Sequence, residues 1–250
     1  MCVAALAWHA HPRWRLVAIG NRDELHARPA APLARWDDGS GIIAGRDLVG
    51  GGTWLGASEA GRFVLVTNRR GFGNPDPARR SRGELVGAFL AAADPPAPID
   101  AYNPFNLIAA SGERLEYLTN RPEPLRMTLG HGIYGLSNGA LDEPWPKTLA
   151  LKAAVTDWLN LDMDDPAPLF AILASENRPA LGLPPHEPSE IPTEPRDTPP
   201  FIRHPLYGTR CSTVATVAAD GAGRIVEQRF SASGEDIGQT RIDFAWPVPD

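Results

Sequence analysis

Eight short runs of β-forming residues, most of them closed by Gly, Asn or Pro, constrain this chain more than any other feature. They are Cys2 to Trp8, Trp14 to Gly20, Arg62 to Asn68, Asn106 to Ala110, Arg114 to Thr119, Gly132 to Leu136, Ser212 to Ala218 and Arg224 to Phe230. Strands of this length cannot bury a face alone, so they must collect into sheets. Two pairs read as hairpins, one turning at Ser111-Gly112-Glu113 and one at Asp220 to Gly223. Helices are fewer. Ser81 with Glu84 three residues on reads as a capping box for a helix from Gly83 to Ala93, stopped by Pro95 and Pro96. Between Lys147 and Leu159 the apolar residues Leu151, Val155, Trp158 and Leu159 repeat on one helical face, and Asp165-Pro166 opens a third helix running to about Ala174.

With 250 residues, one domain over 1–250 fits this pattern and has room for a sizeable core. From Pro179 to Pro205 proline occurs nine times, which excludes a helix or a central strand and predicts a long loop, either a lid over a pocket or a surface connection. Twenty-four basic against thirty acidic side chains give a net charge of −6 without a block of like charge, which argues against nucleic-acid binding. No apolar run reaches the ~20 residues of a membrane span, and Met1 to Trp8 lack the basic start of a signal peptide. Two cysteines at opposite ends of the chain form no disulfide framework and no zinc spacing, so a reducing cytoplasm is expected.

Several residues are equipped for chemistry. Cys2 is small enough for removal of Met1 to be expected, which would place a thiol and an α-amine on one residue. That amine, with a pKa of about 7.7–8.0, can serve as base for its own nucleophile; a buried small hydrophobe is the plainer reading of the same cysteine. Asn21, Arg22, Asp23 and Glu24 follow a predicted strand directly. Alternation puts Arg22 with Glu24 and Asn21 with Asp23, so a pocket meets one pair unless a turn begins there. Thr67-Asn68, Ser137-Asn138 and Tyr207 to Arg210 stand at later strand ends, where an Asn amide can donate to an oxyanion and an Arg can hold a carboxylate or lower a thiol pKa. Gly50 to Gly56 lacks both P-loop and dinucleotide spacing and shows only a backbone pressed close to something. The six histidines make no metal-ligand spacing, so no metal is expected, although His9 and His11 could ligate a haem iron.

Together Met1-Cys2, Asn21-Arg22-Asp23-Glu24, Gly50 to Gly56, Asn103 to Ile108, Gly135 to Lys147 and Tyr207 to Val214 span almost the whole chain, which on these motifs resembles the NRDE family, homologues of the transport and Golgi organisation protein. The resemblance implies an α+β fold, a four-layer αββα sandwich of N-terminal-nucleophile hydrolase type. It extends to the cysteine branch that contains penicillin V acylase and bile-salt hydrolase. Carried over, Cys2 would be the nucleophile, Asp23 would bind its amine, Arg22 would support the thiolate, Asn68 would donate to the oxyanion, and Asn138 and Arg210 would line the pocket. The acylase Arg and Asp are spaced apart, whereas Arg22 and Asp23 are adjacent, so Asn21 with Glu24 is the alternative pair. Two functions follow from the resemblance: hydrolysis of a C–N amide bond in a small acylated substrate without a cofactor, or binding and trafficking of haem or another apolar ligand without hydrolysis.

Overall fold

The computed structural model describes residues 2–92, 97–177 and 198–248. Thirteen strands form two antiparallel sheets among these residues. The first sheet contains β1 (Cys2–His11), β2 (Trp14–Leu25), β10 (Gly132–Leu136), β11 (Tyr207–Ala218), β12 (Ala222–Phe230) and β13 (Asp236–Ala245), in the order β10-β1-β2-β11-β12-β13. The second runs in sequence order through β3 (Ala30–Arg35), β4 (Ile42–Asp47), β5 (Leu55–Ser58), β6 (Arg62–Asn68), β7 (Phe105–Ser111), β8 (Arg114–Thr119) and β9 (Leu125–Leu129). Helix α1 (Arg82–Ala92) packs on β4, β5 and β6, while α2 (Pro146–Asn160) and α3 (Ala167–Leu173) pack on the first sheet. The layers are therefore helix, sheet, sheet, helix, the αββα order expected.

Alternation along β1 shows why these layers form. Ala4, Leu6 and Trp8 join the core shared with the second sheet, while Val3, Ala5 and Ala7 pack with Leu151, Val155 and Trp158 of α2. A strand buried on both faces needs apolar residues at every position, which is how residues 2–8 read. Both predicted hairpins are present, β7–β8 and β11–β12. Helix α2 buries Leu151, Val155, Trp158 and Leu159 as its spacing predicts, and also Lys147 and Thr148.

Other expectations change. Strand β2 continues through Asn21 to Glu24 as far as Leu25, so the four polar residues form no turn; β1 and β11 pair with both edges of this stretch. Glu84 turns its carboxylate to Arg80 rather than back to Ser81. Of the proline-rich loop at 179–205, residues 179–197 lie outside the described residues; Pro200 and Phe201 are anchored by the Asn21 side chain and by the Phe201 N–H to Ser175 O bond. No helix among the described residues is long and apolar enough to cross a membrane.

Candidate active site

Cys2 stands at the head of β1, opposite Arg22 of β2, and Arg22 in turn stands opposite Cys211 of β11. The row lies on the face turned toward the second sheet, since Cys2 and Cys211 both belong to the core between the sheets. One strand, β2, lies between the two cysteines, which sets their Cα atoms about 9–10 Å apart, beyond the spacing a disulfide tolerates, and both are free. Ser137 Oγ donates to the Cys2 carbonyl at 2.9 Å and fixes the strand end from β10.

A cleft of about 480 Å³ opens at this end of the sheets, lined among others by Cys2, Arg22, Asp23, Glu24 and Asn68. Asn21 is absent from it. Its amide donates to the Leu173 and Pro200 carbonyls at 2.8 Å each, and its oxygen accepts Ser212 Oγ at 2.6 Å, tying β2 to α3 and β11. Three of the four motif residues thus line the cleft, Arg22 and Glu24 from the face between the sheets, while Asn21 is a buried clamp. Asp23 shares the parity of Asn21 yet still lines the cleft, where Thr209 Oγ1 donates to its Oδ1 at 2.7 Å.

Arg22 Nη2 donates to Asp47 Oδ2 at 3.0 Å, and Arg28 Nε reaches the same oxygen at 2.6 Å. The other Asp47 oxygen accepts the N–H groups of Val49 at 3.0 Å and Gly50 at 2.9 Å. Burial alone would raise this carboxyl; the Arg28 hydrogen bond and the two N–H donors outweigh it and hold Asp47 below its ordinary value. Neither Asp47 nor Arg28 belongs to a motif that sequence reasoning singled out.

Burial pushes the Cys2 thiol up, and the Asp23 carboxylate adds to that, against the Asp23 backbone hydrogen bond and the Arg22 charge. Asp23 is pushed from 3.8 to about 6, chiefly by burial, opposed by the charge of Lys147 and by the Thr209 hydrogen bond. Lys147 is fully buried at the start of α2, and its Nζ donates to Thr198 Oγ1 at 2.9 Å.

The raised Asp23 pKa fixes a sign. Because the folded protein binds this proton more tightly than the unfolded chain, the stabilisation is full below about pH 3.8 and is lost as pH rises through about 6. That gap corresponds to about 3 kcal/mol. In Asp23→Asn, whose amide oxygen can still accept from Thr209, unfolding free energy between pH 4 and pH 8 should rise relative to wild type by about that amount. Urea titrations with parallel pH dependence in the two proteins would refute this.

Asn68 ends β6 at the cleft wall and accepts Asn138 Nδ2 at its carbonyl oxygen, 2.8 Å away. Asn138 is itself buried, and its Oδ1 has no partner among the described residues. The 137–139 segment is held from the second sheet by Thr67 Oγ1 to Ser137 O at 2.5 Å and Asn106 Nδ2 to Gly139 O at 2.8 Å. Asn138 thus positions Asn68 rather than lining the cleft. Arg210 is elsewhere. The bulge between Thr209 and Cys211 takes it out of the Cys2–Arg22–Cys211 row, and its Nη1 donates to the carbonyls of Leu25 at 3.1 Å and His26 at 2.8 Å. It lines a second cavity of about 90 Å³ beside Cys211 and Glu227, and helps hold the turn that delivers Arg28 to Asp47.

His9 and His11 lie at the far end of β1, more than about 20 Å from Cys2 by strand rise. They line a separate cavity of about 470 Å³, where the His9 ring stacks on His131 at 4.9 Å. The two histidines named as candidate haem ligands thus share one cavity, and Cys2 does not line it. No three His, Cys, Asp or Glu side chains among the described residues are placed to hold a metal ion.

These layers and this cleft define a class: an αββα sandwich whose first strand carries a thiol to the floor of an arginine-rich pocket between the sheets. The chain belongs to the family described as Transport and Golgi organisation 2, whose model matches residues 1–232; the NRDE family is the same family. Similar curated proteins include the Transport and Golgi organization protein 2 homologs of Bos taurus, 32% identical with 93% of this chain and 94% of the relative covered, and of Homo sapiens, 32% identical with 88% and 90% covered. Among solved structures, the Caenorhabditis elegans ortholog of N-acylethanolamine-hydrolyzing acid amidase aligns with a TM-score of 0.48 and 12% identity, covering 85% of this chain and 92% of that one.

Proposed function

We propose that the cleft is the active site of an N-terminal-cysteine amidohydrolase acting on a C–N amide bond of a small acylated substrate. The observation that carries this reading is the position of the Cys2 sulfur, which meets Arg22, Asp23 and Asn68 at one cleft while the other thiol, Cys211, lies on a different cavity. With Met1 removed, the α-amine of Cys2 sits within a few ångströms of its own sulfur. An amine of pKa about 7.7–8.0 is partly neutral near pH 7.5 and takes the thiol proton as sulfur attacks the carbonyl carbon. The proton then passes to the leaving nitrogen, the amine product departs, and a thioester remains; water cleaves it, and the acid leaves with the thiol restored. Asn68 supplies an amide N–H to the tetrahedral oxyanion, Arg22 favours the thiolate, and ionised Asp23 orients the ammonium that forms.

The N-terminal peptide mass tests this. Active protein, assayed by release of free amine from an N-acyl amide, is expected to begin at Cys2. Full turnover by protein that still bears Met1 would exclude the self-activated nucleophile.

A further inference from the structure

We infer that the cleft takes a substrate bearing a carboxylate, an N-acyl amino acid rather than a neutral amide, with Arg82 as the group that binds the carboxylate. This rests on the amidohydrolase reading of the same cleft. The argument begins with charge. Five arginines line the cleft, in a chain whose net charge is −6. Four of them have carboxylate partners. Arg22 and Arg28 both contact Asp47 and both stand 3.9 Å from Glu24; Arg79 stands 3.8 Å from Asp76, and Arg80 pairs with Glu84. Arg82 has no carboxylate within ion-pair distance among the described residues.

Its one described hydrogen bond runs from Nη1 to the Pro104 carbonyl at 3.2 Å, which uses a single donor of five. The residue opens α1, so its charge coincides with the positive end of the helix dipole. A second, independent observation comes from the cleft floor. The Arg22 side chain is only 9% exposed, yet its Nη1 has no hydrogen-bond partner among the described residues. Buried polar groups are nearly always paired, so an unpaired guanidinium nitrogen on the same cleft as an uncompensated guanidinium points to an anion as the missing partner. Burial works against the Arg82 charge, while Cys2 and Glu24 favour it. The acyl portion has an apolar wall in Val49, Trp54 and Val66 of the same cleft. A carboxylate fits the planar fork of arginine in two parallel bonds.

Matched dodecanoyl amides test the inference on the full chain: the glycine conjugate, the neutral ethanolamide and its phosphate ester. The glycine conjugate should have a kcat/KM at least about tenfold above the ethanolamide, a gap that narrows at high salt. In Arg82→Gln the ratio should collapse toward one through a raised KM, with Arg82→Lys recovering part of it. Equal wild-type rates on glycine conjugate and ethanolamide, or a ratio unmoved in Arg82→Gln, overturn the inference while leaving amide hydrolysis standing; a preference for the phosphate ester overturns the carboxylate assignment. Should no amide turn over, hydrolysis falls, and calorimetry on Cys2→Ala protein decides the rest. Glycine conjugate bound at least about tenfold tighter than ethanolamide supports the anion site, and equal binding removes it.

Discussion

Replacing Cys2 with alanine is expected to reduce amide turnover by about 10⁴-fold or more while the protein stays folded. The two halves of that expectation rest on different observations. Loss of rate follows because the other thiol is not placed to substitute: Cys211 stands on the far side of β2 and lines a separate cavity, with its thiol pushed well up by burial and by the Glu227 charge. Retention of fold follows because the side chain contributes one buried sulfur to the head of a strand. Its backbone is held independently, by pairing with Arg22 and by Ser137 Oγ on its carbonyl. Losing one such atom costs about 1 kcal/mol. The paired control is Cys211→Ala, which should keep its rate. Activity that survives in Cys2→Ala and disappears in Cys211→Ala would move the chemistry to the wrong cavity for this mechanism.

The parts of the molecule that could be read from sequence share a physical property: both faces, or one regular stripe, are buried. Residues 2–8 and 62–68 read as strands because their burial leaves them apolar, and α2 because its stripe repeats at helical spacing. The strands missed outright include β3, β9 and β13, at sheet edges where most side chains are exposed, and their place is set by pairing with neighbours rather than by their own pattern. Of the candidate site, Cys2, Arg22 and Asp23, which share one cleft, are legible because they lie on adjacent strands near the start of the chain, and Asn68 because it ends an apolar run. Arg28, Asp47 and Arg82 enter from a turn, a strand end and a helix start with no common motif. Lys147 carried a usable signal: it lies four residues before Leu151, on the buried stripe of α2. Arg210 lines the smaller cavity beside Cys211, and it stands at a bulge between Thr209 and Cys211 that the sequence does not show.

The glycine run at Gly50 to Gly52 leads to the second large effect. Gly52→Ala is expected to destabilise the protein by about 3 kcal/mol or more, lowering Tm by roughly 6–12 °C. A methyl group on Gly52 would lie 2.2 Å from the Gly83 carbonyl carbon, 2.3 Å from its oxygen and 2.7 Å from the Glu84 nitrogen. All three are backbone atoms of the first turn of α1, so no flexible side chain can swing aside. Gly83 is itself confined, its own added methyl meeting Thr53 O at 3.0 Å, and the Thr53 N–H bonds to Gly83 O across the contact at 3.3 Å. Two facing glycines thus let the β4–β5 connection touch the helix start. The same connection supplies the Gly50 N–H to Asp47, so relief of the clash by moving α1 would carry Arg82 away from the Cys2 cleft. Substrate affinity should fall with stability. Gly87→Ala on the same helix is the opposing control: nothing lies within 4 Å of its added methyl, and alanine in a helix interior should stabilise by about 0.5–1 kcal/mol. Urea unfolding of the two variants should therefore shift in opposite directions from wild type. A Gly52→Ala midpoint equal to wild type would mean that the backbone contact between this loop and α1 does not hold the cleft together.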